Sequence, residues 1–539
     1  MRLIRLYDTT LRDGAQAEEI NLSLEDKLKI AVKLDHLGMH YIEGGWPGSN
    51  TTDKAFFKEI RNYTFKRAVI AAFGATHHPK YSAAADPNLK ALVESKVPAI
   101  TIFGKSWDAH VKQALRIDNE RNLEIVRDSL AFLKPNCKEL FFDAEHFFDG
   151  YKANPEYALA VLDHALQGGA DVLVLCDTNG GTLPHEIVGA MRAVQERFPK
   201  ANLGIHAHND SEMAVANSVE AVRQGAVQVQ GTINGYGERC GNANLCSIIP
   251  ILECKGDGAF QCLPKGHLEL LTVIASYVAE VANVQLFNRQ PFVGRSSFAH
   301  KGGIHVSAVA RDSRLYEHLD PQTVGNRQRV LLSELAGRSN IVNMGKRYGF
   351  HMDKDEPVVK GLLAELKKKA GLGYDYAAAE ASVELLLLKK LARRGVREFF
   401  KLLKFHVRDD MDEAGVMRSE ATVMVEVEGV EEHTAAMGSG PVNALDNAIR
   451  KALRGFYPNL DSMRLIDFKV RVLSATTPGE SGTASNVRVL IESGDASGRW
   501  VTVGVSHNVI LASWQALVDS ITYKLYRDEQ ATRSQCDED

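Results

Sequence analysis

From Leu3 to about Leu252, short apolar, β-branched runs alternate with amphipathic helical stretches, and this alternation leaves few folds open. A parallel connection between strands needs a crossover long enough to hold a helix, so repeated strand-helix units build a parallel sheet. Eight strand candidates can be counted: Leu3–Asp8, His40–Gly45, Ala68–Gly74, Ala99–Gly104, Glu139–Ala144, Val172–Asp177, Asn202–Ala207 and Val227–Ile233. Eight such units in roughly 250 residues match a closed (β/α)8 barrel better than an open doubly wound sheet. No G-x-G-x-x-G follows the first strand, which counts against dinucleotide binding. The local logic is clearest after Ser23. Ser23 and Asp26 form a capping pair, Leu24, Leu28 and Ala31 share a helix face, and Gly38 ends the helix.

Beyond the barrel the pattern changes twice. Residues 266–400 are mostly helical and charged, with a polar, Gly-rich stretch at Pro291–Gly303, and read as helical linker subdomains. After Phe400 come alternating strands, Ala421–Glu428, Leu465–Leu473 and Val487–Glu492. Ala421–Leu453 gives strand, turn, strand, Gly-Ser and helix, and Asn486–Ile521 repeats that order. The expected organisation is therefore a catalytic barrel at 1–265, linker subdomains at 266–400, a duplicated α+β domain at 401–525 and a disordered tail at 526–539.

The charge balance, 64 basic against 68 acidic residues for a net −4, suggests no nucleic-acid or membrane-surface partner. Met1 leads directly into a strand pattern without a signal-like segment, and no run approaches ~18 apolar residues. The seven cysteines lack C-x-x-C spacing, which fits a reducing compartment; a cytoplasmic protein is expected.

His206-Ala-His208 ends the seventh strand, where a spacing of two puts both imidazoles on one face. Alone, H-x-H is a weak signal. Asp13, however, follows the first strand and Asn242 the eighth, and strands seven, eight and one are neighbours in a closed barrel. Asp13, His206, His208 and Asn242 can thus converge on one Mg²⁺, Mn²⁺ or Zn²⁺ ion at the C-terminal face. Arg12, beside a candidate ligand, is placed to stabilise oxyanion charge. Glu145 and Thr178 end strands five and six, and offer a proton-transfer group and a substrate-carboxylate contact. As alternatives, Glu145 serves a loop salt bridge and Thr178 a cap.

At these residues the chain resembles the 2-isopropylmalate, homocitrate and citramalate synthase family. Four motifs carry the resemblance: Asp8-Thr-Thr-Leu-Arg-Asp13-Gly, His206-Ala-His208-Asn-Asp, Gly235-Tyr-Gly-Glu-Arg-Cys-Gly-Asn242 and Phe298-Ala-His300-Lys-Gly-Gly-Ile-His305. The family implies a metal-dependent Claisen condensation of acetyl-CoA with a 2-oxo acid. It implies metal ligation by Asp13, His206 and His208, with Asn242 nearby, and substrate contacts from Arg12, Gln16, Glu145 and Thr178. His305 and Tyr316 match linker residues that reach the active site, and are the family's candidates for acetyl-CoA activation. The resemblance also implies a homodimer and a regulatory C-terminal domain that senses the pathway's end product, here isoleucine. One position departs: the usual acidic residue after Arg-Asp-Gly is Ala15.

Trp46 and Phe103, ending strands two and four, favour a short oxo acid. Gly44-Gly-Trp-Pro-Gly-Ser-Asn50, Thr101-Ile-Phe-Gly-Lys-Ser-Trp-Asp108 and Ser506-His-Asn-Val-Ile-Leu-Ala-Ser-Trp-Gln515 resemble one branch of the citramalate synthases, so pyruvate is the expected substrate and 2-oxoisovalerate the runner-up. A metal-dependent aldolase or acyl-CoA lyase would not need the duplicated domain. A non-catalytic amino-acid-binding protein would not need the metal cluster.

Overall fold

The computed structural model describes residues 1–300, 303–309, 311–330, 338–347, 351–376, 379–391, 398–411, 413–473 and 485–538. They fall into two units, Met1–Phe298 with His318–Gln328, and Ala299–Glu317 with Arg329–Asp539.

In the first unit, β1 (Arg5–Asp8), β2 (Tyr41–Gly45), β3 (Val69–Ala75), β4 (Ala99–Lys105), β5 (Glu139–Glu145), β6 (Val172–Asp177), β7 (Leu203–Ala207) and β8 (Gln228–Gly231) close into a parallel barrel in sequence order. The closing seam pairs Arg5 with Gln228 and Asp8 with Gly231. These are the eight strands read from the sequence. Leu3 is the exception, since Arg2–Leu3 pairs separately with Phe260–Gln261. Along each strand the side chains alternate: Leu6, Ile42, Ile100, Phe142 and Ile205 face the surrounding helices, whereas Tyr7, Tyr41, Ala71, Phe141 and Val174 fill the interior. Helix α1 (Leu24–Leu37) begins with the reciprocal Ser23–Asp26 capping box and buries Leu28, Ala31 and Leu34. It ends at Gly38, whose φ of 105° and closeness to Pro264 leave no room for a Cβ.

The linker expected at 266–400 is divided between the units. Helix Leu271–Val281 packs Leu271, Ile274, Ala275 and Val278 into the barrel's core, and the Asn234 amide donates to the Ala275 carbonyl. Helix Glu380–Leu391 instead joins the second unit, where the Ser382 hydroxyl donates to Asp519 and accepts from the Val503 N–H.

The second unit contains the duplication as two antiparallel sheets, each followed by a helix. One has β9 (Lys401–Met411), β10 (Met417–Val427) and β11 (Val430–Gly438) before helix Pro441–Leu453. The other has β12 (Arg464–Val472), β13 (Val487–Asp495) and β14 (Gly498–Ser506) before helix Val509–Glu538. Ala421, Val423, Val425 and Val427 on β10 alternate into a core shared with Ala444, Leu445, Ala448 and Ile449. The segment expected to be a disordered tail continues the final helix to Glu538, extending a part anchored by Leu517, Ile521 and Leu525. Among the described residues, no helix is long and apolar enough to cross a membrane.

Candidate active site

The ends of β7 and β1 bring Asp13, His206 and His208 together. His206 Nε2 lies 3.2 Å from His208 Nε2 and 3.4 Å from Asp13 Oδ2, and all three side chains are buried. Burial drives both imidazoles toward the neutral, ligating form, and it pushes His208 down to about 4 with help from His206. Burial opposes the Asp13 charge, but Arg12, His206 and His208 hold its carboxyl below the ordinary carboxylate range. The loop after β8 folds back so that Asn242 bridges to His208. That fold-back requires glycine at 241, where φ is 91° and a Cβ would meet the Gly235 carbonyl. The Asn242 Oδ1 and His208 Nδ1 atoms are buried without hydrogen-bond partners. A carboxylate, two neutral imidazoles and an orphaned amide oxygen, held close and shielded from water, suit a divalent cation of the borderline class.

Arg12 lies on the same rim. Its Nε donates to Glu43 Oε1 at 2.6 Å, its Nη1 is 3.5 Å from Asp13 Oδ2, and its guanidinium carbon lies 3.7 Å from the centre of the Phe73 ring. Burial disfavours its charge, but Asp13 and Glu43 more than offset this and hold the guanidinium above its ordinary pKa. Glu43 is fixed in turn by the Tyr7 hydroxyl at 2.7 Å, which also meets Thr101 Oγ1 at 2.6 Å. Trp46, Phe73 and Phe103 pack ring against ring, with centroids 5.4–5.9 Å apart. Gln230 connects His206 to Asp143. Burial and Glu43 raise the Asp143 carboxyl, against the Gln230 hydrogen bond and Arg12. Glu43, Phe73, Asp143 and Gln230 escape a reading that looks for chemistry in loops. The usable signal was a polar residue at an inward position of a barrel strand, as in Tyr41-Ile-Glu43, Phe141-Phe-Asp143 and Gln228-Val-Gln230.

The remaining predicted residues are distributed less tightly. Glu145 ends β5 ion-paired with Lys105, its register partner on β4. Thr178 Oγ1 accepts from the His146 N–H at 2.9 Å, so its hydroxyl has a capping role between adjacent strand ends. Gln16 closes the short turn Gly14–Gln16 with an exposed side chain. His305 and Tyr316 belong to the second unit, where their rings stack with centroids 4.2 Å apart and both are exposed. Lys301 and Gly302 of the preceding motif lie outside the described residues.

Residues 3–277 match the HMGL-like family, residues 292–373 the homocitrate synthase post-HMGL domain-like family, and residues 377–525 the LeuA allosteric (dimerisation) domain. The barrel and its rim cluster thus define an HMGL-like enzyme carrying an added LeuA-type domain. The chain is 54% identical to the (R)-citramalate synthase of Geobacter sulfurreducens over 98% of its own length and 99% of the relative's, and 52% identical to that of Aquifex aeolicus over 98% of each. The 2-isopropylmalate synthase of Clostridium kluyveri is 29% identical over 97% of this chain and 96% of its own. The chain belongs to the (R)-citramalate synthase family of acyl-transferring enzymes.

Proposed function

We propose that this protein condenses acetyl-CoA with pyruvate to give (R)-citramalate and CoA. The buried cluster of Asp13, His206 and His208 beside an unpartnered Asn242 oxygen carries this reading, together with the full-length similarity to citramalate synthases. These residues would hold a divalent cation, Mn²⁺, Mg²⁺ or Zn²⁺, which when bound acts as a Lewis acid on the carbonyl of a 2-oxo acid. Arg12, oriented by Glu43 and stacked on Phe73, places fixed positive charge where the carbonyl oxygen becomes an alkoxide. Removal of a methyl proton from acetyl-CoA falls to Glu145, His305 or Tyr316, directly or through water, and the enolate carbon then attacks the carbonyl carbon. Hydrolysis of the resulting thioester releases CoA and makes the sequence irreversible. Thr178 and Gln16 contact the substrate in this scheme. In this scheme the bulk of the mutually packed Trp46, Phe73 and Phe103 rings favours a methyl group over a branched chain.

The protein works as a cytoplasmic homodimer in this reading. Leu403, Met411, Ile466, Val470 and Val472 of β9 and β12 are exposed, an apolar surface suited to pairing between copies. Its LeuA-type domain takes isoleucine as feedback inhibitor, the enzyme serving the first step of an isoleucine pathway. The test is free-thiol release from acetyl-CoA with a panel of 2-oxo acids and added Mn²⁺ or Mg²⁺. Release with pyruvate is expected. Release with 2-oxoisovalerate but not pyruvate would reassign the enzyme to isopropylmalate synthesis, and no release with any oxo acid would end the synthase reading.

A further inference from the structure

His206 and His208 are fixed in different ways. His208 Nδ1 is buried without a hydrogen-bond partner. His206 Nδ1 instead meets Gln230 Oε1 at 3.0 Å, and the Gln230 amide nitrogen donates to Asp143 Oδ1 at 2.9 Å. His206, Gln230 and Asp143 are all buried, with Gln230 fully so.

The direction of the chain follows from how the Gln230 amide is placed. The Gln230 amide turns its nitrogen to Asp143 Oδ1 and its oxygen to His206, an arrangement in which Oδ1 accepts whether or not the other carboxyl oxygen carries a proton. An amide oxygen can only accept, so the proton of the neutral imidazole must sit on Nδ1. The lone pair then lies on Nε2, the atom facing Asp13 Oδ2 and His208 Nε2. Were the amide reversed, its N–H would donate to Nδ1 and leave the imidazole proton on Nε2, where it blocks ligation. We infer that Gln230, oriented by Asp143, is a positioning residue that fixes His206 in its metal-binding tautomer.

This inference rests on the metal centre proposed above, and the full-length protein tests it through Mn²⁺ affinity, followed by the electron-spin signal of free Mn²⁺. Gln230→Met keeps the side chain's length and removes the acceptor; it should weaken Mn²⁺ binding about 10- to 100-fold. Gln230→Glu keeps an acceptor oxygen toward Nδ1 and should hold affinity within about threefold of the wild type. Gln228, one inward position earlier on β8, is equally buried but has no hydrogen-bond partner at either amide atom, so Gln228→Met should leave affinity unchanged. Wild-type affinity in Gln230→Met, or an equal loss in Gln228→Met, overturns the inference. If Gln230→Met does not fold, Asp143→Asn decides: it retains the shape but no longer dictates which way the amide turns. A weakened affinity there supports the relay, and an unchanged one overturns it. A wild-type protein that binds no Mn²⁺ removes the metal centre and the relay together, whereas wild-type binding unaltered by Gln230→Met removes the relay alone.

Discussion

The upper interior of the barrel buries Asp13, Glu43, Asp143, His206 and His208 beside a partly buried Arg12, while the sheets of the second unit bury Ala421, Val423, Val425, Val489 and Ile491 and leave much apolar surface on their strands exposed. Burying charge and unpaired polar atoms is costly, so the first arrangement persists because each group positions another or awaits a ligand. Burying aliphatic side chains is favourable without further help, and the exposed remainder favours association. One region thus holds chemistry at some cost to stability, and the other holds shape.

Substitutions should separate these two economies. The largest effect is expected from His206→Ala combined with His208→Ala: thiol release should fall by more than about 10³-fold while thermal stability is retained or improved, since buried polar groups are removed. Unchanged turnover would show that the cluster is structural. Arg12→Ala should lower kcat by about 10²- to 10³-fold and, by leaving Glu43 unpaired in the barrel, also destabilise the fold by about 3–5 kcal/mol. Denaturant melts and initial rates measure the two losses separately. Ile491→Ala should do the reverse, costing about 2–5 kcal/mol in the second unit through a core cavity while Mn²⁺ affinity stays at the wild-type level.

The smallest effect concerns pH. His40 accepts from the Leu6 N–H through Nδ1, and burial, with Arg5 and Arg67, pushes it down to about 4. The unfolded chain, with an ordinary histidine near 6.5, binds the proton first, so His40 favours the fold above about pH 6.5 and that contribution is lost as pH falls toward 4. Melting temperatures across this range should fall by the equivalent of no more than about 3 kcal/mol, and less steeply in His40→Leu. An identical slope in the two proteins would remove the assignment.

The same contrast explains what the sequence made legible. The barrel's strands, the Ser23–Asp26 capping box and the cluster of Asp13, His206 and His208 were readable because period-2 runs, capping chemistry and strand-end motifs each leave a local mark. Phe73, Glu43, Asp143 and Gln230 were not, because their roles arise only when inward positions of separate strands meet across the barrel. Strand β9 leaves no such mark, because Lys401–Met411 carries charges along an edge that buries no residue fully. The helix through 526–538 is not legible either, because its composition is polar and the packed turns before it carry it onward.

Titrating Mn²⁺ into metal-depleted protein while following CoA release from acetyl-CoA and pyruvate tests the central claim most directly. Activity should return in proportion to the metal and saturate at one ion per chain in the wild type, with neither binding nor turnover in the His206→Ala, His208→Ala double variant. Full turnover in the metal-depleted protein, or metal-restored turnover in the double variant, would contradict the account.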